Sequence, residues 1–181
     1  LTKAAEQGHV DAQIGLAEAY IFGTGAPEND ATAVMWYTKA ANQGDAHAQY
    51  ALGHMYEKGQ GVPEDDVTAV MWYTKSAEQG NLFGQYDLGR MYANGEGVPE
   101  DDATAVEWFT KSAEQGLAEA QYNLGLMYAN GDGVPEDDVT AVMWYTKSAE
   151  RENASAQYNL GRMYARGEGV PENDAAAVMW Y

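Results

Sequence analysis

Carboxylates in three loops are the groups of this sequence best suited to chemistry. The run Glu-Asp-Asp occurs at residues 64–66, 100–102 and 136–138. Paired carboxylates can bind Ca²⁺ or act as a general acid and base. A catalytic constellation is normally assembled once, whereas these clusters recur, so we interpret them as solvated loops that cap helices, with Asp66 as the N-cap of its helix. Weak attraction of a cation or a cationic partner is the alternative.

The histidines do not complete a metal site. His9, His47 and His54 have no cysteine with which to share a metal ion, and a structural zinc site needs four ligands. The loop around Asp132 lacks the bidentate glutamate of an EF-hand. The sequence also contains no nucleophile elbow, zinc-protease motif, phosphate-binding loop or dinucleotide fingerprint. We therefore predict a protein with no enzyme activity, no metal and no cofactor.

The charge balance limits the classes of partner. Acidic residues outnumber basic ones by 28 to 10, a formal charge of −18, which repels nucleic-acid phosphates and anionic lipid headgroups. The longest apolar runs, such as residues 69–73, are far shorter than the roughly 20 residues needed to cross a bilayer. We predict neither a nucleic-acid nor a membrane partner for a soluble protein. A cytoplasmic and an exported location both stay open.

The chain repeats with a period of 36 residues. Three residue types each recur five times at that spacing, at Tyr20, Tyr56, Tyr92, Tyr128 and Tyr164, at Trp36, Trp72, Trp108, Trp144 and Trp180, and at Pro27, Pro63, Pro99, Pro135 and Pro171. Such self-similarity is typical of repeat proteins. In the copy at 45–80, the apolar residues Ala48, Leu52 and Met55 have the spacing of a helix face. They define a first helix, helix A, which the following glycines and proline end.

A second helix, helix B, follows helix A in each copy. In the copy at 45–80 it carries Trp72 and Tyr73 and ends at Gly80, which can take the left-handed conformation. Asn81 can then cap the next helix A. The cycle restarts without a linker.

Gly53, inside helix A, should cost about 1 kcal/mol relative to alanine. It recurs in later copies as Gly89, Gly125 and Gly161. We expect the missing side chain to let helix B approach at Ala69 and its equivalents, while Trp72 and Tyr56 fill the space between neighbouring helix pairs.

These residues also carry a family resemblance. Over essentially the whole chain, each copy resembles the Sel1-like repeat, a relative of the tetratricopeptide repeat. The resemblance rests on three motifs in this order: A-x-x-x-L-G-x-M-Y, G-x-G-V, and D-x-x-x-A-x-x-W-Y-x-K-A/S-A-x-x-G. The resemblance implies an all-α fold, a right-handed α-solenoid of antiparallel helix pairs with helix A on the concave face. We predict one array, with repeats at 9–44, 45–80, 81–116 and 117–152, a partial repeat at 153–181, and the end of a preceding helix B at 1–8.

Helix A varies between copies along one stripe opposite its apolar face. One position of the stripe holds His54, Arg90, Leu126 and Arg162, and the position three residues earlier holds Ala51, Asp87, Asn123 and Asn159. Arginine can bind a carboxylate, and asparagine can bind a peptide backbone. Some tetratricopeptide domains bind the carboxyl-terminal tails of their partners with such residues, and the residues of this stripe resemble theirs. We predict a partner-binding groove formed by His54, Asp87, Arg90, Asn123, Leu126, Asn159 and Arg162. Neutral drift at exposed positions is the alternative.

Three functions follow from these observations. The first is a scaffold or adaptor that binds a protein or peptide, such as an acidic segment of a partner, along helix A. The second is a solenoid that stacks head to tail, because Trp180 and Tyr181 leave an apolar end. A natural protein that extends beyond these residues is the alternative explanation of that end. The third, a hydrolase related to cysteine-rich bacterial relatives, is disfavoured by the absence of cysteine and of a nucleophile constellation. Near-identical copies indicate recent duplication, as in expanding bacterial families, or consensus design.

Overall fold

The structure, a computed structural model, describes residues 2–181, and this part of the chain is entirely helical. Its eleven helices are α1 (Thr2–Glu6), α2 (Val10–Phe22), α3 (Asp30–Asn42), α4 (Ala46–Lys58), α5 (Asp66–Glu78), α6 (Leu82–Asn94), α7 (Asp102–Glu114), α8 (Ala118–Asn130), α9 (Asp138–Ala149), α10 (Ala154–Arg166) and α11 (Asp174–Trp180). Leu1, where the predicted segment 1–8 begins, lies outside the described residues. The predicted all-α class of paired helices is confirmed. None of these helices combines the length and apolarity that crossing a bilayer requires.

The helices fall into two compact units. Among the described residues, the first comprises 2–91 and 95–99, and the second comprises 92–94 and 100–181. In the first unit α2 packs against α3, and α4 packs against α5; in the second, α8 packs against α9, and α10 packs against α9 and α11. Helix A of the sequence corresponds to α2, α4, α6, α8 and α10, and helix B to α3, α5, α7, α9 and α11.

Helix B begins one residue earlier than we predicted. Asp65, not Asp66, is the N-cap of α5, because its backbone is extended and its carboxylate accepts a hydrogen bond from the Thr68 amide at 3.1 Å. The Thr68 hydroxyl donates to the same carboxylate at 2.6 Å, and these bonds lower the pKa of Asp65. Asp66 is the first helical residue, where its charge favours the positive end of the helix dipole. Asn81 caps α6 through the Gly84 amide, as predicted.

The loop between the two helices needs its second glycine for a close backbone approach. Gly61 has a φ of +70°, and a Cβ at this position would collide with the backbone of Asp30, at the start of α3. In the second unit Gly133 lies in the same way against Asp102. The recurring G-x-G motif therefore joins one copy to the helix B of the copy before it.

The partner of Gly53 is not the one we predicted. A Cβ at Gly53 would lie 2.5 Å from Cδ1 of Tyr73, so the glycine makes room for an aromatic ring rather than for Ala69. Gly125 faces Tyr145 in the same way, at 2.7 Å. The prediction missed the ring because it matched small residues with each other. The small residue of helix B does come close in the last copy, where a Cβ at Gly161 would lie 3.2 Å from the carbonyl oxygen of Ala177, the equivalent of Ala69.

Each unit has its own apolar core. In the first unit Leu52, Met55 and Trp72 are buried together, with Tyr56 packed against them as predicted. In the second unit Tyr145, Leu160 and Met163 are buried. Helix B also repeats a cation–π pair in which a lysine lies 3.7–4.3 Å from the centre of a tryptophan ring, as in Lys39–Trp36, Lys75–Trp72, Lys111–Trp108 and Lys147–Trp144. The repeated lysines therefore serve packing within helix B.

Candidate functional site

Arg90 of α6 lies in a cluster of charges within the first unit. Its guanidinium contacts three carboxylates: Nη2 lies 2.8 Å from Glu57 Oε1, Nη1 lies 2.7 Å from Glu96 Oε2, and Nε lies 3.3 Å from Asp87 Oδ1. Glu57 also accepts hydrogen bonds from Tyr73 Oη at 2.7 Å and from Lys58 Nζ at 2.6 Å. We call Glu57, Asp87, Arg90 and Glu96 the Arg90 cluster.

Burial sets the protonation of this cluster. Burial raises the pKa of Glu57, but hydrogen bonds from Lys58 and Tyr73 and the charge of Arg90 outweigh it, and the net pKa lies below the ordinary value. For Asp87 burial prevails over the attraction of Arg90, and its pKa is raised. Burial lowers the pKa of Arg90, but the neighbouring carboxylates outweigh this and raise it. The Arg90 charge is thus matched from inside the protein, which leaves it little capacity for a ligand.

His54 lies in a separate pocket of the first unit. This pocket has a volume of about 360 Å³ and is lined by aromatic, apolar and polar side chains, among them Tyr37, Tyr50 and Met55. His47 also lines it, with Nε2 at 3.8 Å from Glu18 Oε1. Burial raises the pKa of both Tyr37 and Tyr50 to about 12, so both phenols stay protonated at neutral pH.

Arg162 of α10 occupies the position in the second unit that Arg90 holds in the first, 72 residues earlier. Its surroundings differ, because Ala129 stands where the first unit has Glu57, and Asn159 stands where it has Asp87. A cleft of about 270 Å³ opens here, lined by Leu126, Ala129, Asn130, Glu136, Asp138, Tyr145, Asn159, Arg162, Met163, Arg166 and Glu168. We call it the Arg162 cleft.

Arg162 has no carboxylate within ion-pair distance among residues 2–181. The nearby Arg166 Nη1 lies 3.6 Å from Glu168 Oε1, so Glu168 already has a cationic partner. Burial raises the pKa of Tyr145 to about 12, although hydrogen bonding with Asn159 and the charge of Arg162 oppose the rise. Tyr145 therefore remains a neutral hydroxyl. Arg162, Asn159 and Tyr145 thus bring a guanidinium, an amide and a largely buried phenol to the lining of one cleft.

These three groups can recognise a carboxylate. A guanidinium binds a carboxylate with two parallel hydrogen bonds, and a partly buried site strengthens them. Glu136 and Asp138 line the same cleft, so its charge is mixed rather than uniformly positive. A ligand that suits both features carries one carboxylate beside a hydrogen-bond donor or a cation.

The predicted partner-binding residues are therefore distributed over different environments. Asp87 and Arg90 pair with each other, His54 lines the pocket of the first unit, and Leu126, Asn159 and Arg162 line the Arg162 cleft. Asn123 lies half-buried on α8 and is not among the residues that line this cleft.

Sequence reasoning missed the residues that distinguish the two arginines. Glu57 decides the state of Arg90, and Tyr73 and Tyr145 supply hydroxyls that the pattern assigned only to packing. Glu57 carries a signal that could have been found, because the copies have Ile21, Ala93, Ala129 and Ala165 at the same position. A charge that occurs in one copy indicates a local partner.

Comparison with known proteins places these features in a family. Sel1 repeats match residues 1–9, 10–45, 46–81, 82–117, 118–153 and 154–181, which is the whole chain. A protective antigen of uropathogenic Escherichia coli matches with a TM-score of 0.97 and 40% identity, over 99% of this chain and 38% of its own length. A Sel1 repeat protein of Oxalobacter formigenes matches with a TM-score of 0.93 and 37% identity, over 97% of this chain and 72% of its own length.

A Sel1 repeat protein of Klebsiella pneumoniae is 30% identical, with a TM-score of 0.60, over 97% of this chain and 86% of its own length. No functionally curated protein matches the chain. Sel1 repeats form a non-catalytic scaffold and generally mediate protein–protein interaction. Since the family matches every repeat and the relatives share its fold, the chain belongs to the Sel1 repeat family.

Proposed function

We propose that this chain binds a protein partner through the Arg162 cleft, without catalysing a reaction, and that the cleft takes a single carboxylate of a peptide segment. The observation that carries the proposal is the absence of an internal carboxylate within ion-pair distance of Arg162, among the described residues, at a position where Arg90 has three. A half-buried guanidinium without a counter-ion gains more from a ligand than a matched one does.

The charges of the cleft also limit which peptides we expect to bind. Glu136 and Asp138 repel a second acidic group, and the formal charge of −18 opposes a strongly acidic partner at long range. We therefore expect a segment in which one Glu or Asp follows a Lys or Arg. The acid binds Arg162, and the neighbouring cation faces the two carboxylates of the cleft.

The proposal is tested by NMR titration with a defined probe, the peptide acetyl-Ala-Lys-Glu-Ala-N-methylamide. We expect it to shift the side-chain resonances of Arg162 and Asn159, and expect the Leu-for-Glu peptide to leave them unchanged. Arg162→Ala should weaken binding roughly tenfold or more, which is the loss of a charge-assisted hydrogen-bond pair. Asn123→Ala is the matched control, because Asn123 is on the neighbouring helix A but does not line the cleft.

Three outcomes would count against the proposal: equal binding of the Glu and Leu peptides, no effect of Arg162→Ala, or an equal effect of Asn123→Ala. Head-to-tail self-association is the other function that the sequence raised. Light scattering over a concentration series in the same experiment separates the two, because stacking increases the mass of the protein without any peptide.

A further inference from the structure

A ladder of glutamine pairs joins successive copies in the first unit. Gln43 Nε2, after α3, donates to Gln13 Oε1 at 2.8 Å, and Gln79 Nε2, after α5, donates to Gln49 Oε1 at 2.6 Å. Gln79 Nε2 also lies 3.3 Å from the Lys75 carbonyl. Each of the accepting glutamines is buried, and this pairing satisfies its oxygen.

The corresponding pair is missing in the second unit. Gln121 of α8 is the equivalent of Gln49, and its Nε2 donates to the Ala113 carbonyl at 3.0 Å, which fixes the orientation of its amide. The residue equivalent to Gln79 is Arg151. Gln121 is only 3% exposed, yet its Oε1 has no hydrogen-bond partner. A buried acceptor without a donor is a costly state that proteins rarely keep.

A pocket lies beside this unpaired oxygen. It has a volume of about 650 Å³ and is lined by Ala113, Glu114, Gln115, Gly116, Gln121, Lys147, Glu150 and Arg151. Arg151 does not replace the missing glutamine, because its guanidinium lies over Gly116, where a Cβ would come within 2.8 Å of Nη2. Gln121, whose Oε1 is covered in this structure, and Arg151 therefore both line the pocket.

We propose that this pocket binds a primary carboxamide, which takes the place of the missing glutamine side chain. Its N–H groups donate to Gln121 Oε1 and to the carbonyl of Lys147, the equivalent of the Lys75 carbonyl that Gln79 contacts. Its oxygen accepts from Arg151. A carboxylate ligand has no donor for Gln121 and faces Glu114 and Glu150, and an ammonium ligand has no acceptor for Arg151. The carboxamide comes either from a free small molecule or from a Gln or Asn side chain of a partner protein.

Two probes test the chemistry. N-acetyl-L-glutamine N-methylamide has its only primary carboxamide on the side chain, and the matched glutamate compound has none. We expect the glutamine probe to shift the side-chain amide resonances of Gln121, and expect the glutamate probe to bind at least tenfold more weakly. The peptide acetyl-Ala-Gln-Ala-N-methylamide distinguishes the sources: tighter binding than the single residue indicates a partner protein, and equal binding indicates a small molecule.

Arg151→Gln is the matched variant, because it restores the residue that the first unit has at this position. We expect it to close the pocket, weaken the glutamine probe at least tenfold and raise the Tm by a few degrees, since Gln121 regains its donor. The proposal is overturned if neither carboxamide probe shifts Gln121, if the glutamate probe binds equally well, or if Arg151→Gln binds the probe as the unchanged protein does.

Discussion

Arg90 and Arg162 occupy the same position of two copies, yet the first contacts three carboxylates and the second has none within ion-pair distance among the described residues. Three carboxylates lie within 3.3 Å of the Arg90 guanidinium in the first unit. In the second unit two of these acids are replaced, by Ala129 and Asn159, and the third, Glu168, pairs with Arg166. The position along the repeat is therefore insufficient to assign a role to a side chain.

The comparison teaches how a repeat protein separates stability from binding. Both arginines lie on a helix A that an asparagine caps, Asn81 or Asn153. In the copy before each arginine a tyrosine ring lies on a glycine, Tyr73 on Gly53 and Tyr145 on Gly125. Three differences then decide how many carboxylates the guanidinium contacts: Ala129 for Glu57, Asn159 for Asp87, and Arg166 for Asn94. Substitution at a few positions of a fixed scaffold therefore changes the surroundings of a residue in one copy and leaves the repeat fold unchanged.

The largest expected difference between the two copies is in the free energy of unfolding when each arginine is replaced by alanine. Arg90→Ala removes the ion pair of Asp87 and leaves Glu57 with Lys58 alone, and we expect it to lower the free energy of unfolding by about 2–4 kcal/mol. Arg162→Ala has no acid to expose and should change the free energy by no more than about 0.5 kcal/mol. Urea denaturation monitored by circular dichroism gives both values. Equal losses in the two variants would show that the arginines are energetically alike.

Lowering the pH should also distinguish the two copies, with a smaller effect on stability. The folded-state pKa of Glu57 is lowered, so its contribution to stability is present above the ordinary pKa of glutamate and is lost as the pH falls through the folded-state value. We expect Glu57→Gln to be less stable than the unchanged protein by about 1 kcal/mol at neutral pH, and the gap to shrink below about pH 4.

The matched control is Ala129→Gln, at the equivalent position of the second unit. It adds a side chain of the same size where no ionised acid is replaced, so its effect on stability should not depend on pH between about 3 and 7. Thermal denaturation at a series of pH values compares the two variants. A gap for Glu57→Gln that is constant with pH would contradict the assigned ion pairs.

The sequence predicted the fold because its signals are periodic and local. The recurrence of tryptophan, proline and glycine every 36 residues predicted the helix pairs, and Asn81 predicted a cap that the structure contains. The contact of Gly53 was harder to predict, because the ring of Tyr73 comes from another helix and many residues lie within its reach. Which of two adjacent aspartates caps a helix depends on backbone angles, so Asp65 was missed in favour of Asp66.

The site was predictable in position but only partly in chemistry. The variable stripe contains both Arg90 and Arg162, and variation between the copies does not distinguish their roles. Their difference arises from the residue on the preceding helix A, which is Glu57 beside Arg90 and Ala129 beside Arg162, and from how deeply the surrounding side chains are buried. The unpaired oxygen of Gln121 was likewise beyond sequence reasoning, since its donor is a residue 30 positions away in the pairs that retain it.

The most direct test exchanges the residues around Arg90 with those around Arg162. It shows whether the surrounding residues, and not the arginine itself, create the binding site. The double substitution Ala129→Glu with Asn159→Asp gives the Arg162 cleft two of the acids of the Arg90 cluster. The converse variant, Glu57→Ala with Asp87→Asn and Glu96→Ala, removes all three acids from Arg90. Isothermal titration with acetyl-Ala-Lys-Glu-Ala-N-methylamide then measures how many sites each protein has.

We predict one site in the unchanged protein, none after the acids are added at Arg162, and two after they are removed at Arg90. The loss at Arg162 should be at least tenfold in Kd, which corresponds to about 1.4 kcal/mol. Unaltered binding after the acids are added beside Arg162 would contradict the account, because it would show that the open guanidinium is not what holds the carboxylate.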